Sequence, residues 1–220
     1  MLFSEIKVIS VYSPPFGQNA YIVYLDGSDE CFLVDTGFDA ENIVRTVRGK
    51  NLTPKSILIT HGHIDHIAGI STIVDEWNDC DIIIGSDDRD KLTDPMKNLS
   101  AMFGAAFTAD KGNIRTVDDG DVLNVTGIPI QVLHVPGHSK GHVAFVIRRD
   151  DETMAFVGDI IFAGGVGRSD FPDGNERQLL NGIRDKIFAL PDGTILMTGH
   201  GEETTVGSER QYNPYLSGLY

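Results

Sequence analysis

The segment running from His61 to His66, HGHIDH, puts three of the chain's seven histidines and an aspartate within six positions. His61 and His63 are two residues apart, which in an extended loop turns both imidazoles to the same side; Asp65 and His66 follow where the chain turns into a helix. Three more candidates are remote in sequence: His138 in VPGHS, Asp159 closing AFVGD, and His200 closing ILMTGH, each at the end of an expected strand. Strand ends in layered folds converge on one rim, so five imidazoles and two carboxylates would meet there. That donor set suits two metal ions. Neutral imidazole favours borderline ions such as zinc, iron or nickel, and a carboxylate can bridge two cations where an imidazole cannot.

Within THGHIDHIAG alone, a metal site and a histidine-rich polar helix entrance read equally well. A lone histidine at a strand end is more often solvated or packed than ligating. The remote pieces, in their order, favour metal. Glycines at positions 62, 137, 158, 199 and 201 flank the candidate ligands, where the backbone must turn sharply or come close. His134 lies inside an expected strand and His142 opens the next, so both are assigned structural or ligand-orienting roles.

The elements that must position these residues follow from periodicity. IKVISVY, NAYIVYL and ECFLVDTG read as strands separated by turn chemistry. DAENIVRTVRGKN carries Ile43, Val44 and Val47 at helical spacing behind a candidate Asp39 cap, and SILIT is the strand that leads into the motif. Apolar positions 67, 70, 73, 74 and 77 predict a helix that begins at His66. CDIIIGS reads as a buried strand, and SDDRDKLTDPMKNLSAMFG as an excursion of helix and loop. The second half repeats the theme, with DVLNV, IPIQVLHV, HVAFVIRR, TMAFVGD and TILMTGH as strands and NERQLLNGIRDKIF as a helix. Gly164-Gly165-Val166-Gly167 reads as the most flexible stretch but is too short for a linker. We expect one α/β domain over residues 1–220, built of two similar halves.

Composition excludes several function classes. Apolar residues make up 41% and charged residues 23%, as in a soluble globular protein. No stretch approaches the roughly 20 apolar residues of a membrane helix, and MLFSEIKVISVYSPP lacks the layout of a secretory signal; a cytoplasmic location is expected. The net charge of −14 would repel a phosphate backbone, so nucleic acid is not an expected partner. Cys31 and Cys80 are far apart and in no ligand spacing, which makes them small buried hydrophobes.

From VDTG at 34–37 through THGHIDH, PGHS, GD and GHG, the sequence resembles the metallo-β-lactamase superfamily. GDIIFAGGVGRSDFPDGN and GEETTVGSERQYNPYL are similar to its small glyoxalase II-like (hydroxyacylglutathione hydrolase-like) branch. The resemblance implies a four-layer αββα sandwich with two divalent metal ions, zinc, iron or a mixture, at one edge of the sheets. It assigns His61, His63 and His138 to one metal and Asp65, His66 and His200 to the other. Asp159 would bridge them, and Asp35 would orient ligands by hydrogen bonds. The implied chemistry is attack on a thioester or ester carbonyl by a hydroxide held between the metals, since coordination brings the pKa of water from about 15.7 to near 7. Asp65 would also shuttle the proton.

A glutathione thioester is the implied substrate, and Arg168 aligns with a basic residue that can hold the glutathione carboxylate. The larger glyoxalase II enzymes have a further helical domain with glutathione contacts, whereas this chain ends about twenty residues past His200, which predicts fewer such contacts. Lactone hydrolysis is an alternative, as is a persulfide dioxygenase with one iron on His61, His138 and Asp159. A non-enzymatic metal-binding sensor module is a third. A β-lactamase role lacks both an export signal and any antibiotic-specific feature.

Overall fold

The computed structural model describes residues 5–109, 111–149 and 151–216. Strands β1 (Ile6–Ser13), β2 (Gln18–Leu25) and β3 (Glu30–Val34) form an antiparallel meander, and helix α1 (Ala40–Gly49) crosses over to β4 (Thr53–Ile59), parallel to β3. Short helices α2 (Ile64–Ile67) and α3 (Ile70–Glu76) lead to β5 (Asp81–Gly85), and two 3-10 segments, Ser86–Leu92 and Ser100–Phe103, precede β6 (Asn113–Val117). The order in this six-stranded sheet is β1-β2-β3-β4-β5-β6.

The second half repeats the plan. Strands β7 (Val122–Val125), β8 (Ile128–His134), β9 (Val143–Arg149) and β10 (Glu152–Gly158) form the meander. A ribbon of β11 (Ile161–Phe162) and β12 (Gly165–Val166) follows. Helix α4 (Glu176–Gly182), which continues into a π-helical turn at Ile183–Ile187, then crosses over to β13 (Ile195–Thr198), parallel to β10. Strand β14 (Thr204–Thr205) and helix α5 (Val206–Tyr212) complete a second six-stranded sheet, ordered β14-β13-β10-β9-β8-β7.

The period of two along the strands sorts their side chains into separate cores. In β3, Cys31 and Leu33 pack with Ile43, Val47, Ile70 and Ile73 of the first helical layer, while Phe32 and Val34 face the other sheet. In β10, Met154 and Phe156 join that central core, while Ala155 and Val157 pack with Leu179 and Ile183. Three apolar layers between helices, sheet, sheet and helices make the expected αββα sandwich. Because the inner strands are covered on both faces, their sequences are nearly continuous apolar runs. The two cysteines are free and buried, and burial pushes both thiols up to about 12. No helix among the described residues is long and apolar enough to cross a membrane.

Four local expectations change. The helix at the histidine motif starts at Ile64, because the Ile64 N–H donates to the Asn98 carbonyl (2.9 Å), and it breaks at Gly69, whose N–H turns to Thr36 Oγ1 (3.2 Å). Asp39 stands at the N-terminus of α1 but makes no capping bond; the Ser13 hydroxyl takes the N–H groups of Phe38 (2.6 Å) and Asp39 (2.8 Å) instead. Gly164 and its neighbours are held: Gly164 N–H donates to Glu209 Oε2 (2.9 Å) and Asn213 Nδ2 to the Gly165 carbonyl (3.0 Å). A Cβ on Gly167 would fall 1.8 Å from the Asp159 carbonyl oxygen, so close approach explains that glycine. Strand β6, half exposed, and the β14–α5 end carry too little apolar periodicity to have been expected.

Phe145 is fully buried in the central core. Phe145→Ala is expected to lower unfolding free energy in urea by about 3–5 kcal/mol, whereas Val122→Ala, at a position 70% exposed, should stay within about 0.5 kcal/mol.

Candidate metal centre

The seven candidate ligands all lie just beyond strand C-termini on one rim: His61 to His66 after β4, His138 after β8, Asp159 after β10 and His200 after β13. Backbone hydrogen bonds stitch the two sheets together at this rim. Val143 N–H donates to the Thr60 carbonyl (2.9 Å), and Asn19 N–H to that of Gly199 (2.8 Å). Gly158 has φ +47°, and a Cβ there would sit 2.4 Å from Thr60 Oγ1; on Gly199 it would sit 2.2 Å from Asp159 Oδ1. Only glycine allows Asp159 and His200 to approach in this way.

Three overlapping groups of ligand atoms form, the atoms of each within 4.8 Å of one another: His61, His63 and His138; His61, His66 and Asp159; Asp65, His66 and His200. His138 Nε2 lies 3.1 Å from His61 Nε2 and 3.0 Å from His63 Nδ1. Asp159 stands between the outer groups, with Oδ2 3.5 Å from both His138 Nε2 and His200 Nε2, and Oδ1 3.3 Å from His66 Nε2. His200 Nε2 is 3.3 Å from Asp65 Oδ2.

Which nitrogen faces inward follows from what the other one touches. His66 Nδ1 donates to Asp35 Oδ2 (2.8 Å), His138 Nδ1 to the Arg168 carbonyl (2.7 Å), and His200 Nδ1 to the Phe16 carbonyl (3.2 Å). The Thr60 hydroxyl donates to Asp35 Oδ2 (2.9 Å), so its oxygen accepts from His61 Nδ1 (3.2 Å). In each of these four rings the Nδ1 proton is directed away from the centre, which leaves Nε2 directed into it. His63 is turned the other way, with Nδ1 inward and Nε2 3.4 Å from Lys91 Nζ.

Burial, reinforced by the neighbouring imidazoles, holds His61 and His63 well below the ordinary imidazole range, and burial lowers His138 as well. These rings are neutral at pH 7, the form that ligates metal. Burial also acts to lower His66, but the carboxylates of Asp159, Asp35 and Asp65 outweigh it and raise that ring well above 6.5. His200 is raised despite burial by Asp65 and Asp159. Burial alone would raise Asp159, yet His66, His138 and His200 hold its carboxyl far below the usual range.

His66 Nε2 and Asp159 Oδ1 are buried without a hydrogen-bond partner, at 3.3 Å but not aligned with each other. Leaving buried polar atoms unpaired costs about 1–3 kcal/mol each, and a cation between convergent lone pairs and carboxylates removes that cost. The residues therefore fit a metal-binding role.

The supporting residues are partly those expected. Asp35, 1% exposed with φ +54°, accepts from Thr60 N–H (2.9 Å) as well as from the Thr60 hydroxyl and His66. His142 accepts the Asp159 N–H on Nε2 (3.0 Å) and stacks on His61. His134 lies outside the cluster, near the Lys140 carbonyl (2.9 Å). Asp88, fully buried, was missed. Its carboxylate accepts from Gly62 N–H (2.8 Å), Gly141 N–H (2.7 Å) and the Ser139 hydroxyl (2.7 Å), tying both histidine loops together. The one hint in the sequence is an acidic pair just past β5, indistinguishable there from a solvated turn. Arg168 lines the cleft above the cluster, but its guanidinium is bidentate with Asp170 (3.0 and 2.9 Å), and what it gives the site is its carbonyl.

Comparison with known proteins agrees with this geometry. A sequence model of the metallo-beta-lactamase superfamily matches residues 13–200. The chain is 33% identical over 223 residues to hydroxyacylglutathione hydrolase GloC of Haemophilus influenzae, covering 97% of this chain and 98% of that protein. BLEG-1, a B3 metallo-beta-lactamase, superposes with a TM-score of 0.91 at 33% identity over 96% of this chain and all of that one. TTHA1623, solved in a di-iron-bound form, superposes at 0.82 with 31% identity over 95% of this chain and all of that one. With seven candidate ligand side chains converging on the rim of an αββα sandwich and a family match over most of its length, the chain belongs to the metallo-beta-lactamase superfamily.

Proposed function

We propose that this protein is a metal-dependent hydrolase of thioester or ester carbonyls. The observation that carries the reading is the convergence of inward ring nitrogens from five imidazoles around Asp159. His61, His63 and His138 would hold one divalent ion, Asp65, His66 and His200 a second, and Asp159 both. Bound there, the ions would acidify water toward neutral pH and polarise a carbonyl oxygen. Asp65, 3.3 Å from His200 and partly open to the cleft, is placed to take up and return a proton. Asp35 holds His66 in the tautomer that ligates.

Similarity to GloC supports a hydroxyacylglutathione conjugate as the first substrate to test, and BLEG-1 supports adding a cyclic amide, checked with a chromogenic cephalosporin. TTHA1623 keeps iron beside zinc as the metal. The persulfide dioxygenase alternative would use His61, His138 and Asp159 of the same cluster, so metal stoichiometry separates it from a two-metal hydrolase.

Protein purified without added metal should contain about two equivalents of zinc or iron by elemental analysis. Chelation should abolish hydrolysis of S-lactoylglutathione and of simple thioesters, and metal should restore it. One iron per chain, with no thioesterase activity in any metal form and oxygen uptake on glutathione persulfide, would overturn the reading.

Asp35→Asn tests the orienting carboxylate without disturbing the backbone, since Asn tolerates positive φ as Asp does. Metal affinity should fall about 10–100-fold in a chelator competition while the circular dichroism spectrum is unchanged. Unaltered affinity would show that Asp35 does not set the ligand geometry.

A further inference from the structure

The cleft over the metal centre has a volume of about 610 Å³, and its walls beyond the candidate ligands are apolar except for Arg168 and Asp170. Phe16, Met102 and Phe103 line it together with Phe162 and Phe171. Phe16 stacks on Phe38 (5.4 Å between centroids, 19° between planes) and receives the edge of Phe103 (5.2 Å, 79°). These three rings come from three separate loops, yet they are 40%, 43% and 62% exposed, and Met102 is 70% exposed. Large side chains brought together at the mouth of a cleft and left open to water mark a ligand surface more than a folding core.

This surface is continuous with the metal centre. The Phe16 carbonyl accepts from His200 Nδ1 (3.2 Å), Phe162 meets the His200 ring edge-on at 6.0 Å, and Phe171 meets His63 at 4.9 Å. The charges in the cleft point the same way. Beyond the candidate ligands its charged lining residues are Asp170 and Arg168, the one Lys or Arg among its described lining residues; the two are paired, and Arg168 lies over Phe171 at 4.7 Å. A glutathione conjugate would bring two carboxylates to a wall whose one Lys or Arg among the described residues already faces Asp170, in an exposed pair that a substrate carboxylate would have to displace.

We propose that the preferred substrates carry an apolar arm of several carbons, alkyl or aryl, which lies on the Phe16–Phe103–Met102 surface while the carbonyl is held at the metal centre. The inference rests on the hydrolase reading for the position of the carbonyl, and concerns which ester or thioester is selected. Each methylene that reaches the surface should raise kcat/KM about fourfold until the cleft is filled.

The test uses the metal-loaded full chain with two series: N-acetylcysteamine thioesters from acetyl to octanoyl, and acetyl thioesters of alkylthiols of the same lengths. A rise in kcat/KM along either series supports the proposal and identifies which side of the carbonyl carries the arm. Phe103→Ala should lower the octanoyl-to-acetyl ratio, or its alkylthiol counterpart, about tenfold. Acetyl turnover with no dependence on length in either series, or a kcat/KM for S-lactoylglutathione above every apolar substrate, would overturn the proposal and leave the hydrolase reading standing.

Absence of turnover on all of these substrates would overturn the hydrolase reading. Binding then tests the apolar surface separately, by titrating methyl ketones of increasing chain length into the metal-loaded protein. A Kd that falls with length in the wild type, and falls less steeply in Phe103→Ala, supports the surface. A flat series overturns it.

Discussion

Four imidazoles at the rim point the same nitrogen the same way, and the rest of the site depends on that constraint. His61, His66, His138 and His200 direct Nδ1 at Thr60 Oγ1, Asp35 Oδ2, the Arg168 carbonyl and the Phe16 carbonyl respectively. Each outer partner fixes Nδ1 and leaves Nε2 facing its neighbours at short range. Polar nitrogens gathered in a buried space stay gathered only if the surrounding structure holds each ring. The three apolar cores and the hydrogen bonds from Val143 to Thr60 and from Asn19 to Gly199 supply that rigidity.

Two buried carboxylates do the local holding. A carboxylate out of water is costly unless its oxygens are well hydrogen-bonded. Asp35 meets that requirement with Thr60 and His66, which fixes the end of β4 against the end of β3. Asp88 meets it with Gly62, Ser139 and Gly141, which joins the loop after β4 to the loop after β8. His63 and His138 therefore belong to one hydrogen-bonded unit, although 75 residues separate them.

Above this polar floor the cleft walls are mainly apolar, so the protein combines an overall charge of −14 with a site lined by aromatic side chains.

Much of this architecture was legible in the chain. Continuous apolar runs in ECFLV and TMAFVG marked strands, helical spacing in NIVRTV marked a helix, and HGHIDH with His138, Asp159 and His200 after strand runs marked the candidate donor set. What was not legible depends on partners remote in sequence. Asp88 looked like any acid in a turn until folding placed Gly62 and Gly141 against it. The glycines at 164–167 looked flexible until Glu209 and Asn213 reached them. The pairing of Arg168 with Asp170, two residues away, was likewise not evident from GRSDF. The sequence by itself determined the layers and the ligand types, because periodicity and donor chemistry are local properties. Only the tertiary structure decided which nitrogen of each ring faces inward and what lines the cleft, because both depend on atoms from different loops coming within a few ångströms of each other.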